Sequence, residues 1–442
     1  MPDISRHGVI EKISGEGPLT PPRPGASARV YYGYWIILAG FVTQFVSVGM
    51  ANYVVGAFMI PMTEEFGWSR AEFSASRSIG QMVMAFTGFL IGAQIDKHGG
   101  RRFILIGGSL LVAALFGLSK VQTLAHWLVL NGLVLTAGAA MVGNLVVNVT
   151  LGKWFVERRG RAVALAGMGI SLSGIVLPIL ATYSVDAFGW RTSWQLLALG
   201  AGVMTLPMAF IVRRAPEDFG LHPDGISPDQ VSAGQGEAAS ADFANSMTRA
   251  QAMRTSTFYT LVLAFGLFQI SITVMLLQTI PLMTDAGYSR FIASSMISLA
   301  SIPAFLSKPV WGILIDRYSP KKLAAIGAAL TGGAVLVIVY SVATRFDALV
   351  YCGFIMMGFG WGGLLPLQEV IWATTFGRRY LGSVRSTALP FVLGMAALGP
   401  VLVAYYYDQV GNYDLALVAI AVCNLGSALM LYRIRDRLPR IQ

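Results

Sequence analysis

The chain has 442 residues, of which 55% are apolar and only 12% charged, with a formal net charge of +10. An average soluble domain carries about 25% charged residues, so a string of water-soluble globular domains is excluded and lipid is the solvent for most of the chain. The two cysteines, Cys352 and Cys423, lie in separate apolar stretches outside any Cys/His cluster, which argues against metal or redox use and reads both as small core residues.

Residues 1–32 are polar and proline-rich and hold no apolar core, so they read as a tail and not as a cleavable signal. Apolar runs begin near Tyr34. A bilayer crossing needs about 20 residues. Twelve runs qualify: 34–60, 71–94, 103–119, 125–150, 162–186, 192–212, 256–283, 291–315, 323–343, 347–371, 383–407 and 412–432. The first six fall within 33–213 and the last six within 255–433. Between them, residues 214–254 form the only long connection, and Gly220 to Ser246 is rich in Gly, Ala, Ser, Asp and Pro. That composition predicts a mobile cytoplasmic linker. A short tail, 434–442, follows the last run.

With the N-terminus inside, 25 of the 32 Lys and Arg fall on the cytoplasmic side, and outside stand only Arg70, Lys120, Arg191, Arg290 and Arg345. The asymmetry predicts a multi-pass protein of the cytoplasmic (inner) membrane with both termini cytoplasmic. It explains the basic excess as topology, so no nucleic acid partner is expected.

Residues 61–101 reappear in register at 281–321. Pro61 matches Pro281, Gly67 matches Gly287, Trp68-Ser69-Arg70 matches Tyr288-Ser289-Arg290, Gly92 matches Gly312, and Asp96-Lys97 matches Asp316-Arg317. The offset of 220 is half the chain. The expected fold is an all-α membrane protein with twelve transmembrane helices in two six-helix pseudo-repeated bundles. Parallel repeats of this kind place a shared site between the halves, and rocking one against the other alternates access to it.

Polarity follows a period of three spans. Spans 3, 6, 9 and 12 are almost purely aliphatic and suit the lipid boundary. Spans 1, 4, 7 and 10 carry Gln44, Asn52 and Tyr53; Asn131, Asn144 and Asn148; Gln269; and Gln368 with Glu369. Polar side chains turn away from lipid toward a bundle interior or wet cavity, so these four spans are expected to line it. Tyr53, Asn144, Gln269 and Trp361 are candidate substrate contacts, with interhelical hydrogen bonding or packing as the competing role.

Lys308 is the sharpest candidate. Ser294, Ser298, Ser301, Phe305 and Lys308 fall on one helical stripe, and Pro303 and Pro309 bracket the lysine. A cation at this depth costs about 2.5–3.5 kcal/mol without a partner or water, which points to an ammonium that binds a carboxylate. The competing roles are snorkelling to the cytoplasmic face or pairing with Glu369. Arg77 shares a local polar face with Ser74, Ser78 and Gln81, and it reads as an anion contact, an outer-gate residue or a snorkelling side chain. Glu369 ends span 10 as either a proton carrier or an inner-gate partner of Arg158 or Arg378.

Gly92-Ala93-Gln94-Ile95-Asp96-Lys97-His98-Gly99-Gly100-Arg101-Arg102 fits the loop signature G-x-x-x-D-R/K-x-G-R/K-R of the major facilitator superfamily, with Gly100 at a position that is usually basic. A weaker second copy runs from Gly312 through Asp316-Arg317 to Lys321-Lys322. Tyr32-Gly33-Tyr34-Trp35, the Lys153-to-Ala162 element before Gly167, and Lys308-Pro309 resemble the branch of monocarboxylate transporters and oxalate/formate antiporters. The acid that animal members place four residues before the span-8 cation is Ala304 here, and span 1 lacks their lysine. The resemblance implies the major facilitator fold and a state-dependent latch. Asp96, Arg101 and Arg102 act between spans 2 and 11, with Arg385 as partner, and Asp316 acts between spans 8 and 5.

No G-x-x-x-x-G-K-S/T, H-E-x-x-H or depth-matched Ser/His/Asp set occurs, so neither an ATP-driven pump nor an enzyme is expected, and no cofactor is implied. The reading is a secondary active transporter of a small mono- or dicarboxylate, working as proton symporter or anion exchanger and, by the resemblance, as a monomer. An exporter of hydrophobic compounds is the alternative within transporters, and it predicts an acidic, aromatic cavity. A non-transporting membrane sensor is the alternative of a different class.

Overall fold

The computed structural model describes residues 31–68, 70–226 and 242–434. Most of the N-terminal tail, the centre of the linker and most of the C-terminal tail lie outside the described residues, as do the side chains of Ser74 and Ser294.

Among the described residues, eleven apolar helical runs are long enough to span a membrane. One of them, Arg159–Ile211, is two helices joined at Gly189, whose φ of 77° is costly for any residue with a Cβ. Twelve helices result. They are α1 (Gly33–Phe66), α2 (Arg70–His98), α3 (Arg101–Leu118), α4 (Leu124–Trp154), α5 (159–188) and α6 (190–211). The second half holds α7 (Ser256–Asp285), α8 (Arg290–Arg317), α9 (Pro320–Thr344), α10 (Asp347–Phe376), α11 (Leu381–Val410) and α12 (Asp414–Arg433).

The sequence repeat recurs as local geometry. Gly67 after α1 and Gly287 after α7 both hold left-handed φ, 67° and 92°, the conformation that favours glycine. The packing repeats as well. Helix α1 lies on α5, α2 on α4, and α3 on α4 and α6; in the second half α7 lies on α11, α8 on α10, and α9 on α10 and α12. The halves meet through α2 with α11 and through α5 with α8. The repeated glycines make these crossings possible. A Cβ on Gly92 would lie 2.0 Å from Ser386 Oγ, and one on Gly312 would lie 3.0 Å from the Arg161 Cα. Small residues let helices in lipid approach this closely.

Two helices of the polar set are irregular. Helix α1 passes through a wide turn at Gly49–Tyr53 and continues to Phe66, beyond the predicted end near residue 60. Helix α4 has a wide segment at Leu128–Leu135 and a break at Gly143 (φ −87°, ψ −146°). Such turns release backbone groups from the regular ladder, which is tolerated at membrane depth where protein or water satisfies them.

Exposed aromatic residues mark both membrane boundaries. Tyr34, Trp35, Tyr259, Tyr318 and Tyr432 lie near the basic loops, and Tyr183, Tyr340 and Tyr405 lie toward the opposite end. The cysteine expectation fails: Cys352 is exposed and Cys423 half-buried. Both sit on outward faces of apolar helices, where a thiol costs little in contact with lipid.

The described ends of the linker are docked, against the expectation of mobility from Gly220 to Ser246. The Asp224 carboxylate accepts backbone N–H bonds from Val156, Glu157 and Arg158 at 2.9–3.0 Å. Ser246 Oγ accepts from the Arg379 N–H at 3.1 Å, and Met247 N–H donates to the Phe376 carbonyl at 2.8 Å. Composition predicted no core for this segment. It is held by polar bonds to loop backbone, which composition does not register.

Candidate substrate crevice and its latches

The inter-half contacts named so far lie toward the basic loops. Along the same faces, exposure rises in the opposite direction. On α8, Lys308 is buried, Phe305 and Ser301 are half-buried, and Ser298 is exposed. On α5, Gly167 is buried, Ser171, Gly174 and Pro178 are half-buried, and Thr182 is exposed. On α2 the series is Gly88, Met84, Gln81 and Arg77; on α11 it is Ser386, Leu389, Leu393 and Ala397. Four helices therefore diverge from a sealed floor near the basic loops into a crevice that opens toward the other face.

Lys308 sits at that floor with 3% of its surface exposed. Its ammonium donates to Ser171 Oγ, across the inter-half boundary, and to the Ala304 carbonyl at 3.3 Å. Both partners are neutral. The alternative pairing with Glu369 is absent, because Glu369 belongs to Arg385. Arg385 Nη2 and Nε reach the carboxylate at 3.0–3.3 Å, and both residues are at most 5% exposed. Arg385 also lies over the Trp372 ring. This corrects two expectations: Glu369 does not pair with Arg158 or Arg378, and Arg385 does not pair with Asp96. The physical cause is helical phase. Gly382 and Ser386 face α2, whereas Arg385, one residue earlier than Ser386, is rotated about 100° toward α10.

Asp96 instead accepts the N–H groups of Gly382 (3.0 Å) and Ser383 (2.8 Å) in the first turn of α11. Its counter-ion is Lys153 of α4, at 3.5 Å. Asp316 accepts the Gly160 N–H at 2.8 Å in the first turn of α5 and pairs with Arg161 at 2.6 Å. Each carboxylate thus sits at the N-terminus of a helix from the opposite half, where the helix dipole and unpaired amides favour negative charge. Arg101 and Arg102 are not part of either contact. Both are exposed, and Arg101 stacks over Phe210.

The remaining candidates are spread through the polar helices. Asn144 accepts from Asn148, one turn on, beside the Gly143 break. Tyr53 is half-buried with its ring against Gly174, and Arg77 lies within electrostatic range of it. Gln269 is half-buried on α7. Trp361 is half-buried on the α10 segment packed against α8, and its buried indole N–H has no partner among the described residues. Sequence reasoning missed Ser171 and Lys153. Ser171 was visible as one position in the Gly167–Ser171–Gly174 stripe, but nothing in the sequence paired it with α8.

Beside the duplicated halves and the carboxylate contacts between facing helices, a model of the Major Facilitator Superfamily matches residues 41–388 and 259–441. The chain belongs to the major facilitator superfamily. Its relatives include an oxalate/formate antiporter, monocarboxylate transporters and an efflux protein. It is 22% identical to the oxalate:formate antiporter of Oxalobacter formigenes over 385 residues, covering 85% of this chain and 87% of that protein. It is 24% identical to monocarboxylate transporter 13 of Bos taurus over 408 residues, covering 90% and 89%. An efflux protein for agnestins, AgnL12 of Paecilomyces divaricatus, is 24% identical over 443 residues, covering 97% and 92%. The fold is similar to that of the proton:xylose symporter XylE bound to 6-bromo-6-deoxy-D-glucose, with a TM-score of 0.72 at 12% identity, covering 91% of this chain and 96% of that one. The protein is a multi-pass membrane transporter and not an enzyme.

Proposed function

We propose that this transporter carries a small carboxylate across the cytoplasmic membrane by alternating access, with the basic loops and both termini on the cytoplasmic side and the halves 33–213 and 255–433 moving as two bodies. One observation carries the reading: the Lys308 ammonium lies buried between the halves with only neutral oxygen partners. A buried cation without a counter-ion is costly, and a substrate carboxylate offsets that cost when it binds. The acidic cavity expected of an exporter of hydrophobic cations is missing among the described residues, since Glu369 is neutralised by Arg385. The names of the antiporter and monocarboxylate relatives agree with an anionic substrate.

The same electrostatics favours exchange over net uptake. When the carrier is empty, Lys308 has to pass between states unpaired; when loaded, it passes neutralised. Proton symport through Glu369 is the competing coupling. Both are tested in proteoliposomes loaded with formate, oxalate, lactate or succinate. Lys308→Ala at equal protein content is expected to abolish exchange, with Lys308→Arg keeping part of it. Full exchange in Lys308→Ala refutes the carboxylate reading. Glu369→Gln also strips buried Arg385 of its counter-ion, so it is compared at equal folded protein; exchange retained with loss of pH-driven accumulation alone would move the assignment to symport.

A further inference from the structure

Two cations inside the spans, Lys308 and Arg77, have no carboxylate partner among the described residues. Four lysine and arginine side chains buried at helix ends or between helices do have one. Lys153 pairs with Asp96, Arg159 with Asp242, Arg378 with Glu217, and Arg385 with Glu369. The first two lie on opposite halves, Lys308 on α8 and Arg77 on α2, and both lie on faces that turn toward the crevice.

Their depths differ. In the 220-residue repeat Lys308 is equivalent to Gly88, and parallel repeats put equivalent positions at equal depth. Gly88 packs against Leu389 of α11 at the sealed floor. Arg77 precedes Gly88 by eleven residues. Eleven residues are three helical turns, so Arg77 shares the face of Gly88 but stands about 16 Å nearer the open end. One small carboxylate cannot touch both cations in this state. Arg77 is exposed and shares a small cavity with Asn52, Gln81, Asn131 and Thr136. The Gln81 amide is half-buried and makes no hydrogen bond among the described residues, and Tyr53 lies within electrostatic range of Arg77.

We infer that Arg77, with Gln81 and Tyr53, forms a second, shallower anion site that captures carboxylates at the open end of the crevice before they reach Lys308. The inference deepens the carboxylate reading and rests on it. A guanidinium in a narrow, low-dielectric vestibule raises the local concentration of anions, and the effect weakens with salt. It acts on one face of the membrane only, because the vestibule exists only when the crevice is open to that face. A snorkelling or merely structural arginine gives no such asymmetry.

The test uses the full-length protein in oriented proteoliposomes and whichever of formate, lactate, oxalate or succinate the wild type exchanges. Arg77→Gln is expected to raise the external KM by about tenfold, the pattern of lost uniform binding, with kcat and the internal KM little changed. Arg77→Lys restores most of the affinity. Raising KCl is expected to increase the external KM of the wild type and to have little effect on that of Arg77→Gln. An external KM unchanged in Arg77→Gln overturns the inference, and so does a rise equal on both faces, which would put Arg77 in the shared site. If Arg77→Gln fails to insert, a wild-type external KM that ignores salt overturns it equally. A wild type that moves none of the four anions sinks the carboxylate reading itself, a separate outcome.

Discussion

The two crossings between the halves use the same device with different wiring. At the α2–α11 crossing, Asp96 reaches the opposite half only through the amides of Gly382 and Ser383, and its ion-pair partner, Lys153, belongs to its own half. Both side chains of that pair are 9% exposed. At the α5–α8 crossing, Asp316 reaches across with both contacts, the Gly160 amide and the Arg161 guanidinium, and the Arg161 side chain is 50% exposed. The first crossing is a buried carboxylate fixed from behind and aimed at a helix terminus. The second is a half-solvated clasp. The more degraded sequence copy nevertheless makes the shorter ion pair. What the device needs is one carboxylate at the right helical phase, and the rest of the loop signature can drift.

The comparison breaks most sharply at Asp96. Asp96→Asn leaves Lys153 buried without a counter-ion, a loss of about 3–5 kcal/mol when one partner of a buried pair is removed. Thermal unfolding in detergent should show a large drop, and hydrogen exchange should open residues 382–386 first. Asp316→Asn should cost less, about 1.5–3 kcal/mol for a charged hydrogen bond, because Arg161 can turn to water. If Asp316→Asn proves the more damaging, the buried-versus-solvated distinction is wrong.

Glycine substitution sharpens the contrast at the next level. Gly92→Ala places a Cβ 2.0 Å from Ser386 Oγ and 2.5 Å from the Gly382 carbonyl. Gly312→Ala meets Ala164 Cβ at 2.9 Å and Arg161 Cα at 3.0 Å. Overpacking of this kind costs about 1–3 kcal/mol, and the larger share is expected for Gly92→Ala. Cysteine labelling at positions flanking each crossing reads which one parts. Ionic strength gives a smaller effect. Going from 0.1 M to 1 M KCl should loosen the α5–α8 clasp by less than about 1 kcal/mol and leave the α2–α11 crossing unchanged.

The smallest effect concerns pH. Arg214, packed on Gly99 behind the first crossing, donates at 2.8 Å to Asp218 and holds that carboxyl below the usual carboxylate range. A depressed carboxyl contributes stability above its unfolded pKa and loses it as pH falls through the folded value. Both side chains are partly exposed, so the contribution is small. A thermal-stability scan from pH 7 to acid should therefore fall slightly further in the wild type than in Asp218→Asn. Parallel curves would remove this pair as a support of the first crossing.

Much of the architecture was legible in the chain. Twelve spans follow from apolar run length, and the halving follows from Gly67 with Gly287, where a left-handed φ favours glycine, and from Gly92 with Gly312, where the facing helix leaves no room for a Cβ. Lys308 was legible because an ionisable group in a span is rare enough to stand out by itself. Its partner Ser171 was not, since a serine in a glycine-rich helix carries no mark of what it faces. The pairing of Asp96 was misread for the same reason. Its place at the start of span 11 pointed to Arg385, and a rotation of about 100° on α11 sent that side chain to Glu369 instead.

The sequence by itself determined how many helices cross the membrane, that they come as two copies of one unit, and which spans carry charge. These are one-dimensional properties: run length, period and composition. The tertiary structure decided which charges meet. Helical periodicity assigns a residue to a face, but the relative rotation and depth of facing helices decide whether that face meets an amide, a carboxylate, lipid or the open crevice. For Lys308 they left only neutral oxygens, and the proposed anion chemistry rests on that outcome.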